Sequence, residues 1–141
     1  MSSRRKFIQL SSIVTSGVCC GLSSTLIQSC TNIKSVNAKY TNGRIVVPKS
    51  DLIIDKKIVV NNIALQAPIY FSIEGKKETA ILMLCTHNDC ELKPIGTYLF
   101  CPCHGSEFTN SGEVIKGPAI QSLSEFAITS DETSYYLKLK Q

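Results

Sequence analysis

Beyond Gly43 the hydrophobic positions fall in short runs of β-branched and aromatic residues broken by turn formers. The runs are Arg44-Ile-Val-Val, Asp51-Leu-Ile-Ile, Lys57-Ile-Val-Val, Ile63-Ala-Leu, Ile69-Tyr-Phe-Ser-Ile and Thr79-Ala-Ile-Leu-Met-Leu. They are followed by Tyr98-Leu-Phe, the alternating stretch Ile120 to Ile128, and Ser134-Tyr-Tyr-Leu-Lys-Leu. Branched and aromatic side chains pack well on a pleated surface, so each run predicts a strand. None sustains the 3.6-residue period that would bury one stripe of a helix. Glu74-Gly75-Lys76-Lys77 and Asn110-Ser111-Gly112-Glu113 place glycine and asparagine where hairpins turn. The expected fold is all-β, a small sandwich or barrel of antiparallel strands over residues 44–141.

The first 43 residues follow a different pattern. Arg4, Arg5 and Lys6 precede Phe7 to Ile27, a stretch with no charge that is diluted with Ser, Thr and Gly. A basic start followed by a weakly apolar segment predicts an export signal over residues 1–30, and the arginine pair before Phe7 resembles the twin-arginine signal of bacterial export. Ile27-Gln28-Ser29-Cys30 has the small-residue-then-Cys form of a lipoprotein processing site, which would leave Cys30 as a lipidated anchor. The alternative is an uncleaved spanning helix, for which roughly 20 apolar residues suffice. Either way the protein is expected on the outer side of the bacterial cytoplasmic membrane or in the periplasm. Residues 31–43, rich in Asn, Lys and Ser, are expected to be a polar tether.

Length and charge narrow the picture. At 141 residues there is room for one core beyond the leader. The net charge of +4 owes three units to Arg4, Arg5 and Lys6. From Cys30 onward twelve Lys/Arg face eleven Asp/Glu, which is no nucleic-acid footprint.

The cysteines carry the chemistry. Four of the seven, Cys85, Cys90, Cys101 and Cys103, lie within 19 residues, and the only two histidines, His87 and His104, fall among them. Three readings of this group compete. Two disulfides with surface histidines would leave the Cys–His adjacency without a cause. Structural zinc could close a tetrahedron on two Cys and two His, but gives no role to the other cysteine pair. An iron–sulfur centre uses all six residues.

Cys85-Thr86-His87-x-x-Cys90 and, thirteen residues after His87, Cys101-Pro102-Cys103-His104-Gly105-Ser106 closely resemble the two motifs of the Rieske family. The likeness is to its high-potential type, found in quinol-oxidising cytochrome complexes and in the small subunit of arsenite-oxidase-like enzymes. It is strong over Leu84 to Leu123 and looser across the rest of residues 44–141. It implies a β domain with an inserted cluster-binding subdomain that holds one [2Fe–2S] cluster. Cys85 and Cys101 match the thiolate ligands of the inner iron, and His87 and His104 the imidazole ligands of the solvent-facing iron. Cys90 and Cys103 match the disulfide that ties the two loops, as suits an oxidising compartment.

Replacing two thiolates by imidazoles removes negative charge from around the cluster. Potentials then rise from roughly −400 mV to about −150 to +300 mV, and the imidazole N–H allows electron and proton uptake to be coupled. The resemblance also assigns neighbours: Gly105 lets the backbone approach the cluster, Ser106 donates to a cluster sulfur, and Gly117-Pro118-Ala119 covers the cluster from the other side. Phe108 departs from the pattern, since high-potential members carry Tyr there, and a lower potential is expected. The short gap between His87 and Cys101 leaves less loop for a quinol-docking surface. The implied role is one-electron transfer as a subunit of a membrane-associated respiratory oxidoreductase, with cytochrome b or c or a larger oxidoreductase subunit as partner and quinol as the favoured donor. A free exported electron carrier is the alternative. A Rieske oxygenase is set aside, because no histidine remains for a mononuclear iron site.

Overall fold

The computed structural model describes residues 33–52 and 56–139. Among them the strands are β1 (Lys34–Asn37), β2 (Lys39–Thr41), β3 (Arg44–Pro48), β4 (Lys57–Asn61), β5 (Ile69–Glu74), β6 (Lys77–Leu82), β7 (Lys93–Ile95), β8 (Tyr98–Phe100), β9 (Glu107–Thr109), β10 (Val114–Lys116), β11 (Phe126–Ser130) and β12 (Ser134–Leu139). They form three four-stranded sheets in the orders β1-β4-β5-β6, β10-β9-β8-β7 and β11-β12-β3-β2. The export segment, with Cys19, Cys20 and Cys30, lies outside the described residues.

The first and third sheets enclose one core, in which Ile45, Val47, Ile58, Val60, Ile69, Phe71, Phe126 and Leu137 are buried. Each strand contributes alternate residues, as Ile45 and Val47 do on β3 and Ile58 and Val60 on β4. The second sheet is inserted between β6 and β11 and has its own core of Met83, Leu92, Leu99 and Phe108 with Cys85 and Cys101. The other face of β5 and β6 joins this second core through Tyr70 and Ile81. The expected all-β domain with an inserted subdomain is therefore what forms.

Five expectations are corrected. Within the stretch expected to be a tether, residues 34–37 and 39–41 form strands: β1 pairs with β4 and β2 with β3, and Val36 packs on the first core. Their polar composition reflects outer strands whose side chains face water. The β1–β4 pair is also parallel, an exception to the antiparallel plan. Ile63-Ala-Leu is a turn with Ile63 fully exposed, and Asp51-Leu52 belongs to a 3₁₀ turn, Lys49–Leu52, rather than a strand. Of the alternating stretch 120–128 only Phe126 onward is strand.

The insertion is held tightly where it meets the first sheet. Gly112, at φ 87°, lies so close that a β-carbon would stand 3.0 Å from Ile81 Cγ2 and 3.2 Å from Leu123 Cβ. Tyr70 is fully buried on β5, and its hydroxyl has no hydrogen-bond partner among the described residues. Burial, with the Glu74 carboxylate as the lesser cause, pushes this phenol up to about 12. The neutral form is thus favoured on folding. That stability is fully present below the ordinary tyrosine value near pH 10, and is lost as pH rises toward 12, at about 1.4 kcal/mol per pH unit. Tyr70→Phe is expected to hold or raise the melting temperature at pH 7 by removing an orphaned hydroxyl, and to flatten the loss between pH 10 and 12, as urea titrations across that range would read.

Candidate metal centre

The two Cys–His segments form loops closed by the same pair of main-chain hydrogen bonds. In the first, the Cys85 N–H donates to the Cys90 carbonyl (2.8 Å) and the Asp89 N–H to the Cys85 carbonyl (2.9 Å). In the second, the Cys101 N–H donates to the Ser106 carbonyl (2.8 Å) and the Gly105 N–H to the Cys101 carbonyl (3.0 Å). The fifth residue of each loop turns through the left-handed region, Asp89 at φ 51° and Gly105 at φ 77°. Gly, Asn and Asp are the residues that adopt it readily, which gives glycine at 105 a reason that needs no close approach, since a β-carbon there would meet nothing within 4 Å. This structural repeat has only a faint trace in the sequence: a cysteine, then a turn former four residues on.

A third segment, Gly117 to Gln121, lies against both loops, and three side-chain ties join the three pieces into a closed triangle. The Cys90–Cys103 disulfide links the first loop to the second. The Ala119 N–H donates to Ser106 Oγ at 3.0 Å, linking the second to the third. Thr86 Oγ1 donates to the Gln121 carbonyl at 2.7 Å, linking the first to the third. Sequence reasoning missed Thr86 as a fastener, because its partner lies 35 residues away and no local pattern marks it.

The donor atoms inside this triangle are separated by depth. Cys85 and Cys101 are each 1% exposed, while His87 and His104 face solvent with ring centroids 4.9 Å apart and planes at 90°. Burial raises the Cys85 thiol, as does the neighbouring Cys101; the His87 backbone N–H and the Ser106 hydroxyl act the other way, stabilising the thiolate. Ser106, itself fully buried, therefore donates toward the Cys85 sulfur and accepts from Ala119. Phe108 is fully buried in the same core. Cys101 Sγ lies within 4.8 Å of both disulfide sulfurs. Cys85 and Cys101 are free thiols, which overturns the reading of the four cysteines as two disulfides.

Two sulfurs at depth and two nitrogens at the surface, with hydrogen-bond donors aimed at a sulfur, are the donor set of a mixed-ligand iron–sulfur electron-transfer domain. Residues 34–127 match the family model described as "Rieske [2Fe-2S] domain". The chain belongs to the Rieske family, and binds a [2Fe–2S] cluster through which it transfers electrons; a structural zinc is not its metal. Among curated proteins it is 40% identical over 62 residues to the cytochrome b6-f complex iron-sulfur subunit of Trichodesmium erythraeum (strain IMS101), covering 40% of this chain and 35% of that protein. It is 45% identical over 67 residues to the mitochondrial cytochrome b-c1 complex subunit Rieske of Candida albicans, covering 41% and 30%. The matched region thus spans about a third of the length of these relatives. Among solved structures, the cyanobacterial plasma membrane Rieske protein of Synechocystis PCC 6803 superposes with a TM-score of 0.54 at 28% identity, over 64% of this chain and 94% of that one.

Proposed function

We propose that Cys85 and Cys101 hold the inner iron and His87 and His104 the outer one, and that the protein serves as the Rieske subunit of an exported, membrane-associated, quinol-oxidising complex. The observation that carries the reading is the division by depth. Thiols buried this deeply would keep a cluster's inner iron out of water, and the exposed imidazole edges would give an electron a short route to a partner. Bound there, the cluster supplies a one-electron acceptor of raised potential. The chain's own residues do the rest. The disulfide and the Thr86 and Ser106 hydrogen bonds fix the three segments, the Ser106 hydroxyl and the His87 N–H stabilise sulfur charge, and the imidazole N–H groups are placed where a proton can be exchanged with a quinol or with water.

The resemblance to complex subunits favours cytochrome b or c as partner, and Arg4 to Cys30 supports export with a membrane anchor. Among the described residues no helix is long and apolar enough to cross a membrane. Electron paramagnetic resonance of the reduced protein tests the ligand set: a rhombic signal with the low average g of a nitrogen-ligated centre is expected, and a silent protein would overturn the assignment. Co-purification with a cytochrome b supports the complex; recovery of the loaded domain alone from membranes would replace that with the free carrier.

Phe108 supplies a second check. A phenol at this position can donate to a ligand sulfur, whereas a phenyl ring cannot. Phe108→Tyr is expected to raise the potential by about 60 mV, the one-electron equivalent of a hydrogen bond worth about 1.4 kcal/mol more to the reduced site. Protein-film voltammetry reads this directly, and an unchanged potential would sink the idea.

A further inference from the structure

The near-even charge balance beyond the leader conceals a division along the fold. The inserted subdomain, residues 83–125, carries two lysines against five carboxylates, a net charge of −3. The remainder, residues 33–82 and 126–141, carries ten Lys/Arg against six Asp/Glu, a net charge of +4. The domain is therefore polarised, and its histidines lie in the negative half.

The local arrangement sharpens this. The three segments that join around the site, residues 84–91, 101–107 and 117–121, contain Asp89, Glu91 and Glu107 and neither Lys nor Arg. Both lysines of the subdomain are engaged at its flanks, Lys93 with Glu91 at 2.7 Å and Lys116 with Glu107 at 3.0 Å. Asp89 is exposed two residues after His87 and makes no ion pair among the described residues. Its backbone position, at φ 51°, would accept Gly or Asn equally well, so the carboxylate is not required by the turn. Ile120, 91% exposed on the third segment, adds an apolar point among these charges. An apolar centre with a charged rim is the anatomy of a transient protein interface.

We propose that the histidine end docks on a basic protein surface, one whose redox centre is ringed by lysine or arginine, with Ile120 as the apolar contact. This rests on the electron-transfer reading and names the chemistry of the partner. Opposite charges at a rim act mainly on the rate of encounter, and a dipolar domain with its exit at the negative pole is turned toward a basic target before contact. The positive remainder of the domain is turned away from that target.

The test uses the full-length, cluster-loaded protein, reduced and mixed by stopped flow with two c-type cytochromes of similar potential, one lysine-rich and one acidic. Each transfer oxidises the cluster by one electron and reduces one haem by one electron. With the lysine-rich cytochrome the second-order rate constant is expected to fall about tenfold between about 10 mM and about 300 mM salt as screening shortens the reach of the field. With the acidic one the rate starts lower and rises with salt. Asp89→Asn, which keeps the turn, should slow the lysine-rich reaction about twofold at low salt and flatten its slope, while Lys39→Gln on the third sheet has a clearly smaller effect. Cluster content and potential of each variant are read first by paramagnetic resonance and voltammetry. A loaded protein whose rates ignore salt and cytochrome charge, or one in which Lys39→Gln matters as much as Asp89→Asn, overturns the basic partner alone. A protein that holds no cluster overturns the functional reading beneath it.

Discussion

Cys101→Ser is expected to leave the two-sheet core folded while abolishing the cluster, with occupancy falling by at least about a hundredfold as iron and sulfide analysis would read it. Serine is close in size, but its hydroxyl does not ionise near neutral pH and offers iron no anionic ligand. The site is 1% exposed, so water cannot take the place of the missing sulfur. The first core contains none of the four proposed ligands, and Ile45, Val60 and Phe71 keep their contacts. Circular dichroism of the variant should therefore still report β structure. Loss of both cluster and fold would show that the two cores are not independent, and a retained paramagnetic signal would remove Cys101 from the ligand set.

The second large effect is expected from the disulfide. Cys90 and Cys103 are 13 residues apart in sequence, and their bridge is the single covalent member of the triangle around the site. Closing a loop of this size contributes about 3 kcal/mol by restricting the unfolded chain. The paired change Cys90→Ala with Cys103→Ala is expected to lower the melting temperature of the domain by about 15 °C and to shorten the lifetime of the cluster in air. Dithiothreitol should reproduce the effect in the parent and do nothing further to the variant. Equal melting temperatures for the two proteins would mean that the hydrogen bonds of Thr86 and Ser106 carry the triangle without help.

How much of this was legible depended on where each element's side chains point. β3 and β4 bury alternate branched residues and β5 and β6 bury runs of apolar ones on both faces, so the same residues that make these strands visible in sequence make them stable. β1 and β2 are held by main-chain pairing at sheet edges and turn nearly every side chain to water, so Lys34 to Thr41 reads like linker. Ile63 and Ile120 erred in the opposite sense, as apolar residues that the fold leaves outside. β7, β9 and β10 are three residues each and, unlike Tyr98-Leu-Phe of β8, mix charged or proline residues with the apolar ones, so no run marks them. The metal centre was the most readable part, because Cys and His in fixed spacing serve chemistry that few other residues can. What sequence could not show was how the site is fastened. The Ala119–Ser106 and Thr86–Gln121 bonds join residues 13 and 35 apart, and only the folded chain brings them together.

The insertion leaves the first sheet and returns to it at one point. Leu82 donates its N–H to the Ser124 carbonyl at 2.9 Å, and Ile81 stands opposite Glu125 as an antiparallel bridge. Seen from the sheet, some forty residues that hold iron are a single oversized hairpin turn, closed at its neck. A segment of that kind can be exchanged between hosts, lengthened or pared down in the course of descent without shifting the register of any strand beneath it. Redox chemistry and scaffold can then diversify at separate rates, with Leu82 and Ser124 as the seam between them.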